Sequence, residues 1–278
     1  MTRIVSICPS NTEILYFLGM ENQVVGLDDY SDWPVAWNHL PRLGPDLNIN
    51  IEKVKSLEPD LVVASLSVPG MEKNIERLER AGFNYIVLNP KSIEDIAEDM
   101  KTLGKALNIN QQAHHAAEQF LAEIDQIRNH IPKRTTPFRL YWEWWPKPVF
   151  TPGRRNWLTE VSRLVGAINI YEDMDQESVK TDWSDVAARQ PDLALIVWTG
   201  IPMHRVKKEL ITSRAEWQGK EFARDSRIHI LEEGWYCRPS PRLLTGIKHL
   251  AHLLYPEHFL APDPERPFLS TIVKDSSG

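Results

Sequence analysis

Short apolar runs alternate with helical stretches twice along this chain, once on each side of a long polar helix. Arg3–Cys8 (RIVSIC) reads as a buried strand, and Val24–Asp28, Leu61–Ser65 and Asn84–Leu88 read as three further strands. Between them Asn11–Gly19, Ile51–Leu57 and Gly70–Ala81 carry helical spacing. Ser10 or Asn11 offers a side-chain oxygen for the first helix start, and Gly19 permits a left-handed exit. Strands separated by helices imply right-handed crossovers and a mostly parallel sheet.

The middle of the chain breaks the alternation. Ser92–Leu107 and Asn110–Ile131 both read as helices. In the second, Ala113, Ala116, Ala117, Phe120, Leu121, Ile124 and Ile127 draw one apolar stripe. The alternation then restarts with strands at Phe138–Trp142, Leu193–Val197 and Arg227–Leu231 and helices at Trp157–Val165, His204–Thr212 and Arg242–Leu254. The halves also echo each other: Val54–Val63 (VKSLEPDLVV) matches Val186–Leu195 (VAARQPDLAL), a short helix ending at Pro-Asp before a buried strand. The expected fold is α/β: two similar Rossmann-like lobes with mostly parallel sheets, joined by one long backbone helix, with a ligand cleft between the lobes. The expected division is an N-terminal α/β lobe over 1–91, a helical linker over 92–132 that includes the long helix 110–131, and a C-terminal α/β lobe over 133–278 with an irregular tail after 256.

Composition narrows the function. The 278 residues carry a net charge of −6 with no basic block, against the stripe a nucleic-acid binder shows. No apolar run approaches the roughly 18 residues that suit a bilayer, and membrane insertion is not expected. Cys8 and Cys237 are too far apart to form a metal or disulfide motif. The start, MTRIVSICPS, lacks the pattern of an export leader, so cytoplasmic location and earlier removal of a leader both stay open.

Ligands of open α/β sheets sit beyond the carboxyl ends of the strands. The residues following each strand here are rich in Trp, Ser and Pro, and the chain has ten tryptophans. Trp33, Trp144, Trp145, Trp157, Trp198, Trp235 and Tyr236 are candidates to line the cleft, with Ser10 and Ser67 as hydrogen-bonding groups at its edges. Trp142, Trp183 and Trp217 read as core. Such rings suit a large, flat, partly apolar ligand. No nucleophile elbow, zincin motif, P-loop or dinucleotide fingerprint occurs, so the chain is not expected to be an enzyme. His249 and His252 have ligand-like spacing but read as a solvent-facing pair. No protein metal ligand and no cofactor of the chain's own is expected. Arg154, Arg155 and Arg238 suit either anionic ligand groups or the lobe rims.

The segments RIVSICPSNTEILYFLG, VVGLDDYSDWP, LEPDLVVAS and Tyr236-Cys-Arg-Pro-Ser-Pro-Arg-Leu resemble the vitamin B12 and iron–siderophore binding proteins of ABC importers, closest to the cobalamin-binding branch. The resemblance runs from Arg3 to about Pro256. It implies non-covalent binding of a large metal chelate as transported ligand, delivery to an ABC importer permease, a monomer, and an extracytoplasmic location. It also implies one acidic docking residue per lobe, Glu72 in the first and Glu209 as the nearest acid in the second. A cobalamin-like corrinoid is the expected ligand. The alternatives are a ferric siderophore met by Arg154, Arg155 or Arg238, haem with Tyr30 or Tyr236 as axial groups, or a cytoplasmic corrinoid carrier.

Overall fold

The computed structural model describes residues 2–273. They form two compact units: residues 2–121 with Pro239–Pro241, and Ala122–Arg238 with residues 242–273.

The N-terminal unit alternates β1 (Ile4–Ser6), α1 (Pro9–Phe17), β2 (Val24–Leu27), α2 (Ile51–Ser56), β3 (Leu61–Ser65), α3 (Glu72–Arg80), β4 (Tyr85–Leu88) and α4 (Ile93–Ala106). Its strands pair in parallel in the order β2-β1-β3-β4. Val5, Ile7, Val62 and Ala64 of the sheet pack with Leu43, Ile49, Val54 and Leu78 into one core. The first helix starts earlier than its polar residues suggest. Pro9 holds the first position, where its missing N–H costs nothing, and Cys8 is the extended residue before it. Gly19 takes a φ of 68° and makes the exit.

The long helix α5 (Asn110–His130) is as expected, with Ala113, Ala117, Phe120, Ile124 and Ile127 buried along one stripe. The boundary between the units falls inside it, between Leu121 and Ala122. The linker helix α4 therefore belongs to the N-terminal unit, whereas 92–132 had been expected to stand between lobes.

The C-terminal unit contains β5 (Phe138–Glu143), β6 (Trp145–Pro146), β7 (Val149–Pro152), α6 (Trp157–Leu164), β8 (Ala167–Asn169), β9 (Ser178–Thr181), α7 (Trp183–Ala188), β10 (Leu193–Ile196), α8 (Glu209–Thr212), β11 (Ile228–Ile230) and α9 (Leu243–Leu254). Its main sheet is parallel, in the order β11-β10-β5-β8. Strands β6, β7 and β9 form a small antiparallel sheet that sequence reasoning missed, because such short pieces show no period. The helix expected over His204–Thr212 is broken. Val206 is extended and buries its side chain in the core, leaving a 3₁₀ turn at Met203–Arg205 and the single turn α8.

The internal repeat holds at atomic detail. Taken in chain order, the strands of each main sheet lie second, first, third, fourth. Glu58 and Gln190, just before the two Pro-Asp pairs, share a positive φ of 45° and 50°. The aspartate that follows accepts a backbone N–H at the start of the unit's first strand: Arg3 N to Asp60 Oδ2 and Arg139 N to Asp192 Oδ2, both 2.7 Å. The side chains of Arg3 and Arg139 then reach carbonyls of the preceding helix exit, at Leu57 in one unit and at Arg189 and Gln190 in the other. One local solution is thus used twice to fix the register of a first strand against a third.

Candidate functional site

The strand order of each sheet reverses between its first and third strands, and the carboxyl ends there are the favoured ligand position in an open parallel sheet. In the N-terminal unit that point lies between β1 and β3. It is built of small polar groups. Cys8 Sγ lies 3.3 Å from Ser10 Oγ and 4.0 Å from Ser67 Oγ. Ser65 Oγ donates to Ser67 Oγ at 2.9 Å and accepts from Ser67 N at 3.0 Å. Beside them Thr12 Oγ1 donates to Ser6 Oγ at 2.8 Å and meets Ser31 Oγ at 2.7 Å. Ser31 Oγ in turn donates to the Asp28 carboxylate. Arg42 ties this loop down by donating to the carbonyls of Asp28 and Ser31. Burial and the nearby Asp28 carboxylate push the Cys8 thiol up to about 11, so it is an inert packing group at neutral pH.

In the C-terminal unit the reversal lies between β5 and β10. Glu143 ends β5 and is fully buried. It pairs with Arg214 through two contacts of 2.6 Å and accepts the indole N–H of Trp198 at 3.0 Å. Trp144 follows directly, with its ring centroid 6.0 Å from that of Trp157. Trp235, in the loop after β11, packs edge-on against His249 at 5.5 Å. The indole nitrogens of Trp144 and Trp235 are both covered and find no acceptor. Each is a donor whose burial is uncompensated.

The candidate aromatics divide into two sets. Trp144, Trp198 and Trp235 are half-buried and Trp145 is 41% exposed, so these four carry indole surface at strand ends. Tyr30 is 54% exposed. The others are enclosed in their own units. Trp33 is 4% exposed, stacked on Phe17 at 5.6 Å with Tyr16 edge-on at 4.7 Å. Trp157 is buried and spends its N–H on the Tyr236 carbonyl at 2.8 Å. Tyr236 has no exposed surface; its ring lies against Trp142 and its hydroxyl meets His249 Nδ1 at 2.8 Å. Trp33, Trp157 and Tyr236 are thus buried, against the expectation that their rings face a ligand. Trp142 and Trp217 are core, as read from the sequence, and Trp183 is partly buried against the cluster that holds Trp217.

Ser10 is buried and Ser67 half-buried, both at the reversal point of their sheet. Arg154 is exposed and pairs with Asp175 at 3.1 Å. Arg155 reaches the same carboxylate, and Arg238 pairs with Glu233. Glu72 and Glu209 are both exposed at first turns, of α3 and α8. His249 and His252 face inward, not to solvent: His252 Nδ1 lies 2.7 Å from the Phe259 carbonyl oxygen. Among the described residues no group of three His, Cys, Asp or Glu side chains is placed to hold a metal ion.

Sequence reasoning missed Glu143 and Arg214. The signal was there: a carboxylate at the end of the apolar run FRLYWE requires a partner if buried.

A family model described as periplasmic binding protein matches residues 4–233. The chain belongs to the periplasmic binding protein family. The vitamin B12-binding protein of Vibrio cholerae serotype O1 is 26% identical over 253 residues, 91% of this chain and 88% of that protein. The crystal structure of the periplasmic vitamin B12-binding protein BtuF of Vibrio cholerae superposes with a TM-score of 0.75 at 25% identity, covering 91% of this chain and 96% of that one. The periplasmic haem-binding protein RhuT from Roseiflexus shares the fold, with a TM-score of 0.80 at 23% identity over 92% and 98% of the two chains. The two α/β units are therefore those of a periplasmic binding protein. Among the described residues no helix is long and apolar enough to cross a membrane.

Proposed function

We propose that this chain is a substrate-binding protein, not an enzyme, that takes up a cobalamin-like corrinoid and delivers it to an ABC importer permease outside the cytoplasm. The observation that carries the reading is the set of indoles with free surface at the strand ends of the C-terminal unit: Trp144, Trp145, Trp198 and Trp235. A corrin ring offers flat apolar area for such rings. Ser10 and Ser67 are the corresponding polar candidates of the N-terminal unit. In this reading the side chains grip the organic frame and leave the metal to the chelate. The vitamin B12-binding relative that spans most of the chain supports the same ligand class. Glu72 and Glu209 are the proposed docking acids, each exposed for a cationic partner.

The arginines favour this ligand over an anionic chelate. Arg154, Arg155 and Arg238 each already meet a carboxylate. Haem through Tyr236 is disfavoured by the complete burial of that side chain.

A thermal-shift series tests the choice, since a ligand at a hundred times its Kd stabilises the folded state by about 2.7 kcal/mol. Cyanocobalamin is expected to raise the melting midpoint by several degrees, with ferric enterobactin, ferrichrome and haemin leaving it unchanged. A rise with one of those three and none with cyanocobalamin replaces the corrinoid.

A further inference from the structure

Glu143 is the most heavily engaged carboxylate of the C-terminal unit's reversal point. It accepts four hydrogen bonds: Arg214 Nη1 and Nη2 at 2.6 Å each, Tyr141 Oη at 2.8 Å and Trp198 Nε1 at 3.0 Å. Arg214 is equally enclosed. Its guanidinium carbon lies 4.2 Å from the ring centroid of Trp183 and 4.4 Å from that of Trp217. A buried pair of this kind is a poor way to gain stability, because desolvating both charges offsets their attraction. What such a pair does supply is direction. A saturated carboxylate clamped by a two-pronged guanidinium has one orientation, and donors aimed at it inherit that orientation.

Of the three residues bound to Glu143, Tyr141 and Arg214 are buried and only Trp198 keeps exposed surface. Trp198 lies two residues beyond the end of β10, and its neighbour Thr199 is also held, donating its backbone N–H to the Trp144 carbonyl at 3.1 Å. With its N–H turned inward to Glu143, Trp198 has carbon left to present. Trp144 and Trp235 differ, since their N–H groups have no acceptor.

We propose that the Glu143–Arg214 pair is a positioning device that locks the Trp198 indole, so that this residue meets ligand with a fixed carbon face and donates it no hydrogen bond. Glu143 and Arg214 act through Trp198 and do not touch the ligand. The ligand half of this proposal rests on the corrinoid reading above; the lock itself does not.

The test uses full-length protein with ¹⁵N-labelled indoles, the Trp198 signal being assigned by its loss in Trp198→Phe. In the wild type its indole proton is expected to exchange with solvent at least about a hundredfold more slowly than in the unfolded chain. The triple variant Tyr141→Phe, Glu143→Leu, Arg214→Met removes both charges and the buried phenol together, so no charge is stranded. In it the Trp198 indole proton, no longer bonded, is expected to exchange quickly. Cyanocobalamin should bind about tenfold more weakly, a change of about 1.4 kcal/mol. Trp198→Phe keeps the charge pair and serves if the triple variant does not fold; it too is expected to weaken binding about tenfold. Fast exchange in the wild type overturns the lock. Unchanged cyanocobalamin affinity in the folded triple variant or in Trp198→Phe overturns the ligand role. A wild type that binds no cyanocobalamin yet protects the Trp198 proton removes the corrinoid reading and upholds the lock.

Discussion

His249 shows how a residue behind the candidate surface can govern the surface itself. Its Nδ1 meets the Tyr236 hydroxyl, and its ring packs against Trp235. Burial lowers its pKa from 6.5 to about 4. The folded state therefore holds a neutral imidazole where the unfolded chain binds a proton. Stability contributed by this group is fully present above about pH 6.5 and is lost as pH falls towards 4, at about 1.4 kcal/mol per pH unit within that window. His249→Asn keeps a polar partner for Tyr236 and removes the titration. Its melting midpoint should fall less between pH 6.5 and pH 4.5 than that of the wild type; equal slopes would contradict the assignment. At this scale the sequence was only half legible. It placed tryptophans after strands correctly, because strand ends follow from periodicity. It could not tell Trp198 from Trp33, because rotamer and neighbours decide which indole is exposed. It read His249 as solvent-facing because the aromatic layer over it, Trp235 and Tyr236, comes from an irregular loop outside α9 that helical spacing does not reveal.

At the scale of elements, close approach and tail anchoring follow from single residues. A Cβ built on Gly104 of α4 would overlap that of Ala113 on α5, so glycine is what lets the two helices meet. Lys248 of α9 is almost fully buried. Its ammonium reaches Glu123 at 2.9 Å and the carbonyls of Pro267 and Leu269 at 2.6 and 2.9 Å. One cation thus holds the irregular tail against α9 and α5. Lys248→Met strands Glu123 and frees the tail. It is expected to cost about 3 kcal/mol in urea unfolding and to expose 256–273 to protease. Cleavage no faster than in the wild type would show that the tail is held by other contacts. The longer helices and most parallel strands were legible because each shows its period or is wholly apolar, whereas the three-residue parallel strand β8 was missed. The β10–β11 connection was not, because its 3₁₀ turns are fixed by tertiary anchors such as Val206, Arg214 and Trp217.

Across the molecule, the repeated Pro-Asp segment was the most informative signal. It forecast two like units, and both show one strand order, one positive-φ residue before Pro-Asp and one aspartate-to-backbone bond of 2.7 Å. The reversal points differ in chemistry: hydroxyls and a thiol in one unit, a buried ion pair with indoles in the other. Binding by such surfaces rests on a few rigid aromatic anchors. Trp144→Ala, in protein that remains folded, is therefore expected to weaken cyanocobalamin binding at least about tenfold, and an unchanged affinity would contradict its role. A calorimetric titration of the wild type with cyanocobalamin is the most direct measurement of the central claim. Heat that saturates at one corrinoid per chain, with a Kd at or below about the micromolar range, is the expected result. No heat and no saturation at high micromolar corrinoid would contradict it.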